Sequence, residues 1–298
     1  MPLSLDDKLV VGISSRALFD LEEENRIYEH EGLAAYTAYQ IEHENDVLKP
    51  GIAFPLARAL GKLNADGTQR TELIVMSRNS ADTSLRIWNS IEHYGLPITR
   101  AALTGGASIT SYLSAFETDL FLSAHHADVQ DAINAGFAAG LICDGDLAID
   151  AAADIGQIRI AFDGDAVIFS DAAERIYQER GLAAFAAHEQ ENAHKPLPEG
   201  PFAKFLRSIS GLQAQFDKEH APIRTALVTA RNAPSHERVI RTLRAWNVRI
   251  DEAFFLGGIP KSEVLRAFGA HIFFDDQRIH TDRSEDIIPS VHVPWRES

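Results

Sequence analysis

Cysteine, methionine and tryptophan are nearly absent from this 298-residue chain, which holds one, two and three of them. With Cys143 as the only thiol, no internal disulfide can form, and a reducing, cytoplasmic setting is expected. Cys143 reads as a small buried apolar residue, since no second thiol lies near it. No run approaches the ~18 consecutive apolar residues of a membrane span. The opening residues 1–7 lack a basic stretch leading into an apolar core, so no signal peptide is expected. Positive charge is scarce too: 28 Lys and Arg face 43 Asp and Glu, a net charge of −15. Such a surface repels nucleic-acid polymers and anionic lipids. It does not exclude a small phosphorylated substrate, because a divalent cation and one lysine can reverse the local field. Most of the acidic excess reads as solvated exterior. The length admits two modest domains or one large one.

What the chain does have is internal repetition. Residues 26–36 read Arg-Ile-Tyr-Glu-His-Glu-Gly-Leu-Ala-Ala-Tyr, and residues 175–185 read Arg-Ile-Tyr-Gln-Glu-Arg-Gly-Leu-Ala-Ala-Phe. Leu73–Asn79 resembles Ala226–Asn232, Gly105-Gly106 resembles Gly257-Gly258, and Leu120–Leu122 resembles Ile272–Phe274, all in one order. The reading is two tandem copies of one α/β unit, 1–150 and 151–298, with Ala151-Ala152-Ala153 as a stiff connector. Each copy opens with an apolar run, Leu9–Ile13 or Ile158–Phe162, that fits a buried strand. A charged helical region follows, then a second strand at Leu73–Met76 or Ala226–Val228. An amphipathic helix comes next, with Ile87, Trp88, Ile91 and Tyr94 matching Val239, Ile240, Leu243 and Trp246 at helical spacing. Further strands are expected near 101–104 and 120–122 in the first copy, and near 253–256 and 271–274, the last strand, in the second. Strands alternating with helices predict parallel, doubly wound sheets.

The copies differ most where strands end. The second has Asp163-Gly164-Asp165 after its first strand and Asp275-Asp276 after its last, with Thr229 and Lys261 between. The first has Ser14-Ser15-Arg16, Ser123-Ala124, Ser77 and Ile109 at those places. Parallel α/β sheets bind ligands beyond the carboxyl ends of their strands. Four carboxylates converging there repel one another unless a cation joins them, and an all-oxygen set suits Mg²⁺.

The ordered set Asp163-x-Asp165-x-Val167, Thr229, Lys261, Asp275-Asp276 resembles the haloacid dehalogenase-like (HAD) phosphatase superfamily. The segments Ser14–Asp20, Ser77–Ser80, Asn89–Leu96 and Thr104–Gly106 look like the cytosolic type I 5′-nucleotidases, a resemblance that covers nearly the whole chain. It implies two HAD-like, Rossmann-like units, each with a helical cap insertion; in the second unit the cap spans about 171–222. It implies Mg²⁺-dependent hydrolysis of nucleoside 5′-monophosphates through an aspartyl-phosphate. Asp163 would be the nucleophile and Asp165 the general acid and base. Thr229 and Lys261 would contact the phosphoryl group, and Asp163, the Asp165 carbonyl, Asp275 and Asp276 would hold the metal. Arg231, Phe185, His188, Lys195 and Phe202 are candidate substrate contacts, each with a reading as cap core or solvated surface beside it. A non-nucleotide phosphate monoester, or a non-enzymatic nucleotide-binding regulator, are the alternatives, and homo-oligomerisation is left open.

Other features carry less. His188 and His194 stand six apart, which does not suit the shared helix face of a zinc-protease motif. His125-His126 read as surface residues. Gly105-Gly106 and Gly257-Gly258 read as turn formers after strands. Arg16 could meet a phosphate in the first copy; a salt bridge across the junction between copies is the expectation.

Overall fold

The computed structural model describes residues 5, 7–142, 149, 150, 154–282, 284 and 287–297. Cys143, Ala151-Ala152-Ala153 and most of the opening segment lie outside them, so the readings made for those residues have no structural counterpart here.

Among the described residues ten strands form one sheet: β1 (Leu9–Ile13), β2 (Thr71–Ser77), β3 (Arg100–Leu103), β4 (Leu120–Ser123), β5 (Ala139–Ile142), β6 (Ile158–Phe162), β7 (Ile223–Thr229), β8 (Glu252–Phe255), β9 (Ile272–Asp275) and β10 (Ser290–His292). Their spatial order is β3-β2-β1-β4-β5-β10-β9-β6-β7-β8. All pairings are parallel except β5 with β10, where Val291 faces Ile142 and His292 faces Leu141. The expectation of separate parallel sheets is therefore corrected to one continuous sheet with an antiparallel seam. The last strand is β10, not 271–274. Neither seam strand stands out as an apolar run: β10 has three residues, and two of the four in β5 are Ala139 and Gly140.

The antiparallel seam has a geometric consequence. Strands on either side of it run in opposite directions. The carboxyl ends of β1, β2 and β4 therefore lie along one edge of the sheet, and those of β6, β7 and β9 along the other. β1, β2, β4 and β9 are buried throughout, as fits strands covered by helices on both faces. The outer strands β3 and β8 are only partly covered.

After β1 the chain forms helices Glu22–Glu31 and Leu33–Glu42, broken at Gly32, whose φ is +85°. After β6 it forms helix Ala172–Glu191, bent at Gly181, whose φ is +78°. Glycine lacks the Cβ that makes this conformation costly. Helices Leu85–His93 and His236–Ala245 turn Ile87 and Ile91, or Val239 and Leu243, into the core, as their spacing predicted. Under β6 and β9 lies a cluster of rings: Phe162 stacks on Phe274 at 5.4 Å, and Phe202 meets Phe274 at 4.9 Å. Phe202 is fully buried in this core, so its reading as a nucleoside contact does not hold. Phe162 and Phe274 immediately precede Asp163 and Asp275, so packing of the rings fixes where both acids emerge. Among the described residues, no helix is long and apolar enough to cross a membrane.

Candidate active site

Asp163 leaves the end of β6, its N–H donating to the Phe274 carbonyl at 2.8 Å. This bond ties the first acid to the strand that carries Asp275. Asp275 closes β9, Asp276 follows it, and Thr229 closes β7. Lys261 opens helix Lys261–Phe268 from the next loop. Its Nζ donates to Asp163 Oδ1 at 2.5 Å and to Asp275 Oδ2 at 2.6 Å, so one ammonium bridges two carboxylates. One carboxylate oxygen from each of Asp163, Asp275 and Asp276 lies within 4.8 Å of the other two, and all three residues are buried. Gln277 N–H donates to Asp275 Oδ1 at 2.8 Å, and the ring of His280 lies 3.1 Å from Oδ2. Trp295 Nε1 donates to Asp276 Oδ2 at 2.7 Å, while Asp276 Oδ1 is buried with no hydrogen-bond partner in the protein.

The electrostatics follow from this crowding. Burial pushes the Asp163 carboxyl up to about 7 against the pull of Lys261, with Asp275 and Asp165 adding to the rise. Burial, then Asp163 and Asp275, push Asp276 up to about 8. Burial would raise Asp275 as well, but Lys261 and His280 outweigh it and hold Asp275 below the usual carboxylate range. For Lys261 the penalty of burial is outweighed by Asp163 and Asp275, which hold the ammonium well above its ordinary value. A single lysine thus leaves the three acids under-compensated. An orphaned carboxylate oxygen in an all-oxygen donor set is what a hard divalent cation such as Mg²⁺ would satisfy, so the residues present fit a metal.

Asp165 points the other way, into an ion network with the helical insert. Arg231 donates to both its oxygens, at 2.8 and 2.6 Å, and its remaining nitrogen bonds Glu189. Arg238 reaches Glu189 at 2.7 Å. The Arg231 guanidinium lies 5.1 Å from the centre of the Phe185 ring. Burial would raise Glu189, yet Arg231 and Arg238 outweigh it and keep it ionised. His188 Nδ1 sits 3.1 Å from the same carboxylate, and exposed Lys195 lends only its carbonyl, to Arg238. The structure therefore gathers Asp163, Asp165, Thr229, Lys261, Asp275, Asp276 and Arg231 at one edge. Phe185 and His188 stand behind Arg231, and Lys195 lies outside. Glu189, Arg238, His280 and Trp295 were missed. The partners of Glu189, Arg238 and Trp295 are distant in sequence, and no spacing pattern marks them; His280 lies five residues from Asp275, but no motif marks that spacing.

At the opposite edge, Ser14, Arg16, Ser77 and Ser123 hold the places of Asp163, Asp165, Thr229 and Asp275. Both ends of the comparison are set by the strands: Ser77 closes β2 as Thr229 closes β7. This puts Asn79, rather than Arg78, in the place of Arg231. Arg16 bonds Glu22 at 2.7 Å and Asn25 at 3.1 Å. The expected salt bridge across the junction is thus replaced by one within the first half. The exposure of His125 and His126 agrees with the sequence reading, as do the left-handed turns at Gly105-Gly106 and Gly257-Gly258. The larger cavity, about 360 Å³, lies at this edge, while one of about 110 Å³ lies beside Lys261 and His280. Size does not locate the chemistry: the smaller cavity is the one lined by Lys261, whose ammonium bridges Asp163 and Asp275.

The model of the 5′-nucleotidase family matches residues 1–298. Human cytosolic 5′-nucleotidase 1B is 42% identical over 289 residues, which is 93% of this chain and 47% of the human protein. The chain thus spans about half the length of that curated relative. No solved structure gives a match.

Proposed function

The chain belongs to the 5′-nucleotidase family, and on that premise we propose that it hydrolyses nucleoside 5′-monophosphates to nucleoside and phosphate, in the cytoplasm, with Mg²⁺ as cofactor. The observation that carries this reading is the buried bridge from Asp163 through Lys261 to Asp275, with Asp276 alongside. The two halves, 1–150 and 151–298, are read as a duplicated HAD-like unit in which only the second keeps its carboxylates. The insert at about 171–222 is read as the cap that excludes water from the site.

Phosphate monoesters hydrolyse extremely slowly in water, so the barrier to be lowered is large. Asp163 attacks phosphorus and the bond to the 5′-oxygen breaks, leaving an aspartyl-phosphate; water then cleaves it in a second displacement. Asp165 gives the proton to the leaving oxygen and later takes one from the attacking water. Both its oxygens accept from Arg231 here, so Asp165 must surrender at least one of those bonds to act. Glu189, already bonded to Arg231, keeps the freed guanidinium paired. Lys261 balances charge on Asp163 and on the phosphoryl oxygens, and Thr229 donates to the phosphate. Asp163, the Asp165 carbonyl, Asp275 and Asp276 would hold Mg²⁺, which supplies charge neutralisation on the phosphoryl oxygens.

Phosphate release from a panel of nucleoside monophosphates and sugar phosphates, with and without Mg²⁺, tests the proposal. Metal-dependent release favouring nucleotides is expected. Equal turnover of sugar phosphates, or binding of nucleotides with no turnover, would overturn it.

A further inference from the structure

We propose that the cavity at the carboxyl ends of β1, β2 and β4 is a second nucleotide site, one that holds a nucleoside 5′-monophosphate by its phosphate without a metal and without hydrolysing it. The nucleotide class rests on the function proposed above; the preference for a phosphate rests on the cavity itself.

At about 360 Å³ the cavity is large enough for a small metabolite. Its floor is a set of donors lacking acceptors. Ser14 Oγ accepts from Ala17 N–H at 3.2 Å and Ala124 N–H at 3.4 Å, which leaves its own proton to give. Ser15 and Ser77 hydroxyls stand 2.9 Å apart, and Ser77 Oγ also accepts from Asn79 N–H. One of their two protons serves the mutual bond and the other remains. Arg16 Nε and Asn79 Nδ2 are buried with no partner in the protein. Buried donors without acceptors are costly, and these belong to residues lining one space. Their common complement is an acceptor-rich group that carries no donors, such as a phosphate.

The rest of the wall agrees. Its two carboxylates are already paired, Asp128 with Arg78 and Glu24 with Arg86 at 2.5 Å each, so they do not repel an anion at full charge. Serines and Ala124 in place of the acids leave no carboxylate at the strand ends to hold Mg²⁺ or attack phosphorus, and the two in the wall are engaged by arginines. Tyr28 and Tyr36 meet edge to face at 5.9 Å above the floor. Tyr28 is 52% exposed, which leaves ring surface for a base to cover.

The test is hydrogen exchange of the full chain with AMP in EDTA, alongside calorimetry. Slowed exchange around 14–18 and 77–80 is expected, with inorganic phosphate protecting the same segments more weakly. Arg16→Glu should weaken metal-free AMP binding at least tenfold. Tyr28→Ala, on a half-exposed ring that leaves the floor intact, should weaken it several-fold and serves if the first variant misfolds. Protection confined to the edge of Asp163 and Thr229 would overturn the proposal, as would equal protection by adenosine alone. Turnover of AMP with Mg²⁺ but no protection at the first edge defeats this inference only. Protection there without turnover defeats the catalytic reading and leaves this one standing.

Discussion

The two edges of the sheet use the same strand order and the same paired-glycine turns, yet they stabilise matching positions with different chemistry. At one, Arg231 links Glu189 by an ion pair and Phe185 by its ring face; at the other, Tyr36 links Gln40 and Asn79 in a neutral trio, with Tyr36 donating to Asn79 and Gln40 donating to Tyr36, both at 3.0 Å. Arg159 N–H donates to His271 Nδ1 at 2.9 Å, where Val10 N–H donates to an Asp119 oxygen at 3.0 Å. At the place of Arg231 and Glu189 a phenol and two amides suffice in the first half. The charge added at that place in the second half therefore serves something other than folding, because burying ions for stability alone is a poor bargain against their desolvation. Concentrating three under-compensated acids in one cluster makes sense if a cation and a phosphoryl group complete it.

Four perturbations bear on that contrast, the largest expected effect first. Asp163→Asn keeps shape and removes the nucleophile, so phosphate release from AMP with Mg²⁺ should fall at least about 10³-fold; a loss under tenfold would erase the functional distinction between the halves. Lys261→Met leaves Asp163 and Asp275 buried without their bridge. Urea unfolding in EDTA should show a loss of about 3–5 kcal/mol, largely recovered when Mg²⁺ replaces the missing charge. Glu189→Gln, which makes the second trio resemble the first, should cost about 2–3 kcal/mol by the same measurement, because Arg231 and Arg238 keep fewer partners. A neutral outcome would mean that the ionic and the amide trios are interchangeable.

The smallest effect concerns pH. Burial, with Arg159 adding, lowers the His271 pKa below 6.5 in the folded chain. The unfolded chain then binds the proton more readily, so the contribution of His271 is complete above pH 6.5 and is lost as pH falls below it toward the folded value. Unfolding midpoints of His271→Asn should accordingly decline less between pH 6.5 and 5 than those of the parent chain.

Much of this was legible in the sequence, for a physical reason. Asp163, Thr229 and Asp275 each sit at or next to the end of an apolar strand, with Asp165 three residues past one, and strands covered on both faces leave an unmistakable hydrophobic run. The seam was not legible: β10 has only three residues, β5 opens on Ala139-Gly140 rather than on large apolar side chains, and a run does not say which edge it will pair with. Phe202 adjoins a polar stretch and so passed for a surface contact, although the ring packs beneath Asp163 and Asp275. The Glu189 network was invisible because its arginines lie 42 and 49 residues away. Arg16 found its acid six residues along its own half, closer than any partner across the junction.

The most direct test is a crystal structure of the chain with Mg²⁺ and beryllium fluoride, a mimic of a phosphorylated carboxylate. The account predicts the fluoride group bonded to Asp163, with Mg²⁺ beside Asp275 and Asp276 and Lys261 turned toward the fluorides. Beryllium fluoride absent from Asp163, or a metal that ignores Asp275 while the Lys261 bridge stays closed, would contradict it.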